Sequence, residues 1–221
     1  MAFGLRPRKG LVNDINPHAI NFYQWLQQGL PVSLEMRNDE TLYYQHRERF
    51  NHLVHTGETD NAEAAQLFYY LNRTGFNGLC RFNSKGEFNV PFGRHKSILY
   101  RRDFDDYSPI LRNWQFVSGD FDQIPLKKND FVYADPPYDV EFTQYSKENF
   151  RWEDQVRLAE WLAKCPGIVV LSNQATDRIL QLYRKLKFQL KLLQGPRRIS
   201  CTGDRNSVQE VLAVRGIEQV C

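Results

Sequence analysis

The sequence predicts an α/β fold, and three observations carry that prediction. From Trp114 onward, short apolar runs of strand character alternate with longer runs of helical period. Hydrophobic residues make up 42% of the 221 and charged residues 25%, which suits a packed core. The stretch from Arg73 to Arg102 breaks the alternation with Asn, Gly and basic residues, so it reads as an insertion.

Taken in order, Leu11-Val12-Asn13-Asp14 ends a short strand. Pro17 opens a helix to about Gln28, with Gly29 as its stop and Ile20, Tyr23 and Leu26 as its apolar stripe. Two polar helices follow, Asp39–Val54 and Thr59–Asn72, with Thr59 and Asp60 as N-cap candidates for the second. Strands are expected at Trp114–Ser118, Phe131–Ala134, Ile168–Leu171, Phe188–Leu193 and Val208–Val214. Helices are expected at Glu153–Lys164 and Ala175–Leu186. This order implies a sheet covered on both faces, with ligands beyond the C-terminal ends of its strands.

The net charge of +3 says little about partners. Its distribution says more. Arg73–Arg102 holds seven basic residues (Arg73, Arg81, Lys85, Arg94, Lys96, Arg101, Arg102) against one acid, Glu87. A second basic cluster comprises Arg184, Lys185, Lys187, Lys191, Arg197 and Arg198. Fifteen Phe, eleven Tyr and four Trp suit a core and would also suit stacking on bases. The four cysteines are scattered without C-x-x-C spacing, which reads as reduced thiols in a cytosolic protein. His52 and His55 read as a polar helix face, and no metal is expected. No apolar run is long enough to cross a membrane, and the first ten residues lack the apolar stretch of a signal peptide.

Asp135-Pro136-Pro137-Tyr138 follows the strand Phe131–Ala134 directly and is the sharpest chemical signal. An exocyclic amine on a base is a poor nucleophile, because its lone pair is delocalised into the ring. A carboxylate and a backbone carbonyl, each accepting one N–H, draw that lone pair out of conjugation. Asp135 supplies the carboxylate, and Pro136 the carbonyl on a segment of fixed φ. Tyr138 offers a face on which a flipped base can stack. Asp-Pro-Pro after a strand also serves as a plain turn, but its position at the strand's C-terminal end favours chemistry.

Asp-Pro-Pro-Tyr resembles the catalytic motif of amino-methyltransferases that use S-adenosylmethionine. The run from Asn72 through Phe76-Asn77-Gly78-Leu79-Cys80-Arg81 and on to Asn89-Val90-Pro91-Phe92-Gly93-Arg94 resembles the target-recognition region of Dam-type (D12 class) DNA adenine-N6 methyltransferases. Asn13-Asp14-Ile15-Asn16 is similar to that family's acidic strand end, and Trp114–Phe121 to the strand flanking the cofactor's adenine. The resemblance runs from about Phe3 to about Val214. It implies a Rossmann-like methyltransferase sheet with a helical and hairpin recognition insertion. It also implies methyl transfer from S-adenosyl-L-methionine to adenine N6 in double-stranded DNA, with GATC as the leading target. Asp14, Asp120, Phe121 and Asp135 are then the cofactor-binding set, with Asp14 on the ribose and Phe121 beside the adenine. Asp135, Pro136, Pro137 and Tyr138 are the catalytic set, and Arg73, Asn77, Leu79, Arg81, Pro91 and Arg94 the DNA-binding set. Chemistry agrees for the readers: Arg pairs with guanine O6 and N7, Asn with adenine, and Leu or Pro packs on a thymine methyl. Arg197-Arg198-Ile199-Ser200 is a weaker candidate for phosphate contact.

One departure qualifies the resemblance. Full-length members carry a Lys-bearing motif and a Phe-x-Gly-x-Gly strand-turn before the acidic strand end, and neither is found here. The expectation is a chain truncated at its N-terminal end, lacking the central strand and binding cofactor poorly. Residues 1–31 are then an incomplete part of the catalytic domain, 32–102 the recognition insertion and 103–221 the rest. The alternative is a catalytically impaired remnant that only binds DNA; an RNA or protein-amide substrate is a further one. A cytoplasmic protein of bacterial or phage origin is expected. It should be a monomer, with exposed sheet edges as the route to association.

Overall fold

A computed structural model describes residues 2–139, 150–195 and 208–217 of the protein, and the chain divides into two units, 1–121 and 122–221.

In the first unit, α1 (Ala2–Leu5) precedes β1 (Gly10–Asp14), α2 (Pro17–Gln27), α3 (Glu40–Thr56), α4 (Ala62–Thr74), α5 (Ser108–Leu111) and β2 (Trp114–Ser118). Local chemistry sets the helix ends. Asn16 caps α2 by accepting from the His18 N–H at 2.9 Å, with Pro17 as first helical residue. Asp39 caps α3, and Gly57, at φ 74°, ends it in the left-handed conformation that glycine adopts most cheaply. Asn61 caps α4, in place of the expected Thr59 or Asp60. The Asn61 amide also donates to the Glu58 carbonyl, and its own carbonyl accepts from Asn21, so tertiary contacts choose among three competent caps.

The core of this unit is aromatic. Tyr43, Phe50, Leu53, Tyr70, Leu71, Phe88 and Leu111 are almost fully buried. β1 and β2 pair in parallel, from Gly10 opposite Trp114 to Asp14 opposite Ser118. A side chain at Gly10 would lie 2.9 Å from the Trp114 ring, so a glycine lets the strand cross the indole.

The second unit contains β3 (Phe131–Ala134), α6 (Trp152–Ala163), β4 (Ile168–Gln174), α7 (Asp177–Lys185), β5 (Gln189–Gly195) and β6 (Val208–Arg215). Its sheet has the order β3-β4-β6-β5. β3 and β4 are parallel, and β6 runs antiparallel to both neighbours. Val169, Leu171, Leu162, Ile179, Tyr183, Val211 and Ala213 form its core.

β4 extends three residues beyond the expected end at Leu171, through Ser172-Asn173-Gln174. Its first half is apolar and its last half polar, yet Ser172 and Asn173 are buried. An unpaired buried polar group costs about 1–3 kcal/mol, so this end of the strand must be hydrogen-bonded.

The α/β class expected from the alternation therefore holds. Among the described residues the strands form two sheets, and neither β1 nor β3 has a strand on its second edge. Among the same residues no helix is long and apolar enough to cross a membrane.

Candidate functional site

In the second unit, the strand β3 delivers Asp135 to the C-terminal end of its sheet, where the β3–β4 register places Ala134 opposite Leu171. The next residue of β4, Ser172, donates its hydroxyl hydrogen to Asp135 Oδ1 at 2.6 Å. Tyr133 lies 3.4 Å from the same hydroxyl. One carboxylate oxygen is thus anchored. Among the described residues nothing donates to Oδ2, and nothing donates to the Pro136 carbonyl. The Pro137 carbonyl, by contrast, accepts from Gln155 at 2.7 Å. One carboxylate oxygen and one peptide oxygen of the loop are therefore left without a donor among the described residues. Tyr138 is half-buried. Burial raises its phenol pKa, with the Ser172 hydroxyl pulling the other way and the Asp135 charge adding to the rise, so the ring stays neutral at physiological pH. The sequence reading missed Ser172, although a Ser-Asn pair closing a buried apolar strand was the available signal.

In the first unit, Asp14 lies at the C-terminal end of β1, beside the end of β2. Its Oδ1 accepts the Asn16 N–H at 2.8 Å, and its backbone carbonyl accepts the Gly119 N–H at 3.1 Å. Asn13 ties the two strand ends together by donating to the Val117 and Gly119 carbonyls. Gly119 sits at φ 151°, a conformation few other residues adopt, and the half-buried Asp120 and Phe121 follow it. Among the described residues Asp14 Oδ2 accepts no hydrogen bond, so this exposed carboxylate suits a pair of ribose hydroxyls.

The recognition segment is held from behind by α3. Asn51 donates to the Phe88 carbonyl and accepts its N–H, so one amide replaces a missing strand partner. The Tyr43 hydroxyl and the Arg47 guanidinium both donate to the Val90 carbonyl, at 2.8 and 3.1 Å. The Phe76 N–H donates to the Pro91 carbonyl and the Gly93 N–H to Thr74, which brings the two arms together. The expected hairpin is reduced to two isolated bridges, Gly75 with Phe92 and Phe82 with Phe88. Gly75 is required, because a side chain there would lie 2.7 Å from the Leu71 carbonyl.

Against that backing the candidate readers differ. Asn77 is exposed at φ 52°. Pro91 is exposed, and Leu79 packs partly against the core. Arg81 is oriented by Asn89, through Nε to Oδ1 at 2.7 Å and Nη2 to the carbonyl at 3.1 Å. Arg94 is exposed and only loosely paired with Glu40, at 3.6 Å. Arg73 donates to the Leu99 carbonyl. Phe76, also missed from sequence, stands 45% exposed beside Asn77. Cys80 is exposed and its sulfur accepts from the Asn16 amide. His55 pairs with Glu87 at 2.8 Å.

The later basic cluster is placed elsewhere. Arg184, Lys185 and Lys187 are exposed where α7 turns into β5, at the end of the sheet opposite to Asp135. Arg197-Arg198-Ile199-Ser200 lies outside the described residues.

Comparison with known proteins identifies the family. Residues 1–199 match the family of D12 class N6 adenine-specific DNA methyltransferases. The retron Ec67 DNA adenine methylase of Escherichia coli is 34% identical over 220 residues, covering 93% of this chain and 75% of that protein. The type II methyltransferase M.MjaIII of Methanocaldococcus jannaschii is 32% identical over 224 residues, covering 90% and 76%. A DNA adenine methylase of Vibrio cholerae is 34% identical over 226 residues, covering 92% and 79%. Matched over residues 1–199 and about one-third identical to these relatives over most of its length, the chain belongs to the D12 class of N6 adenine-specific DNA methyltransferases.

Proposed function

We propose that this adenine-N6 methyltransferase uses S-adenosylmethionine as donor and acts on a short duplex site, with GATC the leading candidate. The observation that carries the chemistry is the Asp135 carboxylate, anchored through Oδ1 by Ser172, with no donor among the described residues on Oδ2 or on the neighbouring Pro136 carbonyl. An adenine amine donating one N–H to each is held with its lone pair out of the ring plane, ready for in-line attack on a methyl carbon. The proton released from nitrogen after transfer passes to solvent through the exposed Asp135 side of the loop. S-adenosylmethionine, when bound, supplies an electrophilic methyl group. Asp14 is the residue proposed for its ribose, with Asp120 and Phe121 beside its adenine. Tyr138 is proposed to stack on the flipped base.

The target assignment rests on the run Phe76–Arg94. Arg81 is proposed as a reader of guanine, because Asn89 fixes its guanidinium and an oriented fork discriminates better than a mobile one. Asn77, Leu79, Pro91 and Arg94 complete the reading edge, with Arg73 beside it, and the exposed ring of Phe76 suits contact with a base pair. Tritiated methyl transfer to duplexes with and without GATC, with the product nucleoside identified as N6-methyladenine, tests both assignments. Equal labelling of both duplexes contradicts the target. Labelling of cytosine or of RNA in preference contradicts the substrate.

A further inference from the structure

We propose that Arg178 is a positioning residue for methyl transfer, acting through the buried carboxylate of Asp139 to hold the Pro136-Pro137-Tyr138 segment in its acceptor geometry. The inference rests on the function proposed above, and all the residues involved lie in the second unit.

Asp139 directly follows Tyr138 and is 6% exposed. A buried carboxylate persists only when paired and hydrogen-bonded. Thr176 Oγ1 donates to Asp139 Oδ2 at 2.7 Å, Arg178 Nε donates to the same oxygen at 2.7 Å, and Arg178 Nη2 donates to Oδ1. The guanidinium also lies 4.7 Å from the centre of the Trp152 ring at the start of α6. Thr176 is the N-cap of α7, and Arg178 is in its first turn. A cation there opposes the helix dipole. General helix chemistry does not explain Arg178, whereas the forked pair with Asp139 does.

A second set of bonds fixes the same segment. The Asp139 N–H donates to Asn173 Oδ1 at 2.9 Å, and the Gln174 N–H donates to the same oxygen at 2.8 Å. Two backbone donors on one oxygen settle the orientation of the Asn173 amide. Its nitrogen then donates to Gln155 Oε1 at 3.0 Å and to the Tyr183 hydroxyl at 3.1 Å. This in turn directs the Gln155 nitrogen to the Pro137 carbonyl. Each proline fixes its own φ, so the freedom left to the segment lies in ψ. Gln155 restrains it at Pro137, Asn173 and Arg178 restrain it at Asp139, and Ser172 restrains the Asp135 end. The Pro136 carbonyl lies between these anchors. Ser172, Gln155 and Asn173 act through uncharged side chains; Arg178 alone among these anchors brings a charge of its own, opposite to that of Asp139. Its loss therefore leaves Asp139 as an uncompensated buried anion and pulls the segment toward water.

The test compares Arg178→Met, Arg178→Lys and the double variant Arg178→Met/Asp139→Asn with wild-type full-length chain. Single-turnover methylation, KM for duplex DNA and hydrogen exchange at the Asp139 amide are measured for each. Arg178→Met is expected to lose about 10–100-fold in rate, as for a displacement of roughly 1 Å at a reacting group, with KM for DNA unchanged within about twofold. The Asp139 amide should lose protection while the β4 amides from Val169 to Leu171 keep theirs. Arg178→Lys, which keeps the charge and loses the fork, should fall between. The double variant should recover most of the rate, because the unpaired anion is gone. Wild-type rate in Arg178→Met, continued protection of the Asp139 amide, or no recovery in the double variant overturns the proposal. Wild-type chain unable to methylate adenine overturns the proposed function instead, and the exchange measurement then still decides whether Arg178 holds the segment.

Discussion

The loop 135–139 and the segment 73–94 are both polar and both candidate contacts with DNA, yet they are supported in opposite ways. At the loop, the buried side chains of Ser172, Asn173 and Gln155 hold the chain from beneath, and the exposed Arg178 holds the buried Asp139 carboxylate at its end. At the recognition segment, α3 holds the backbone through Asn51, Tyr43 and Arg47, and the side chains of Asn77, Pro91 and Arg94 project outward. Chemistry on an amine needs two acceptors at fixed positions, and a displacement of about 1 Å is costly. Reading a groove needs donors that can meet base edges, and some adjustment is tolerable. The support under each region matches the precision that its proposed task demands.

This contrast can be sharpened in a graded series. Ser172→Ala removes the anchor on Asp135 Oδ1, a hydrogen bond to a charged group worth about 1.5–3 kcal/mol. A fall of about 10–100-fold in single-turnover rate is expected, with DNA affinity unchanged and Ser172→Thr close to wild type. An unchanged rate in Ser172→Ala would mean that the carboxylate needs no anchor. Arg81→Ala should relax discrimination at one base pair by roughly 1–3 kcal/mol, measured as relative methylation across a panel of single-substitution duplexes. If all duplexes weaken equally, Arg81 is a phosphate contact. Tyr138→Ala should cost about 1–3 kcal/mol of stacking on the extrahelical base, with ground-state duplex binding little changed. A fluorescent adenine analogue at the target position should brighten less with the variant than with wild type; equal brightening removes the stacking role.

The smallest effect concerns pH. The Glu87 carboxyl is held below the usual carboxylate range by the Asn83 amide first and by His55 second. A depressed folded value means that the contribution is present above the unfolded value, about 4.3, and is lost as pH falls through the folded one. Exchange at the Gly86 amide, which donates to Asn83, should therefore quicken on acidification through that window before the β4 amides respond. Simultaneous loss of both sets would place Glu87 outside any local role.

What was legible in the sequence is local. The strand that leads into Asp135 to Tyr138 stands at Phe131–Ala134, as expected. The helix starts at Pro17 and Glu40 follow from caps next door. What stayed hidden depends on pairing across the chain. Ser172 meets Asp135 only because β3 and β4 run parallel in a particular register, 37 residues apart in sequence. Arg178 reaches Asp139 across 39 residues, and nothing local to either marks the other. The strands themselves were legible, but not that β6 lies antiparallel between β4 and β5, since pairing partners are chosen by tertiary contacts. Thr59, Asp60 and Asn61 are all competent caps, and only the contacts of Asn61 with Glu58 and Asn21 decide among them.

The central claim is that the Asp135 carboxylate acts on the adenine amine and not on the DNA backbone. Single-turnover methylation by Asp135→Ala, measured beside its affinity for the same duplex, tests it most directly. A loss of about 10²–10³ or more in rate is expected, with duplex affinity essentially retained, as for removal of one preorganised electrostatic contact. Near-normal turnover by a folded Asp135→Ala protein, or a loss of rate matched by an equal loss of duplex affinity, would contradict it.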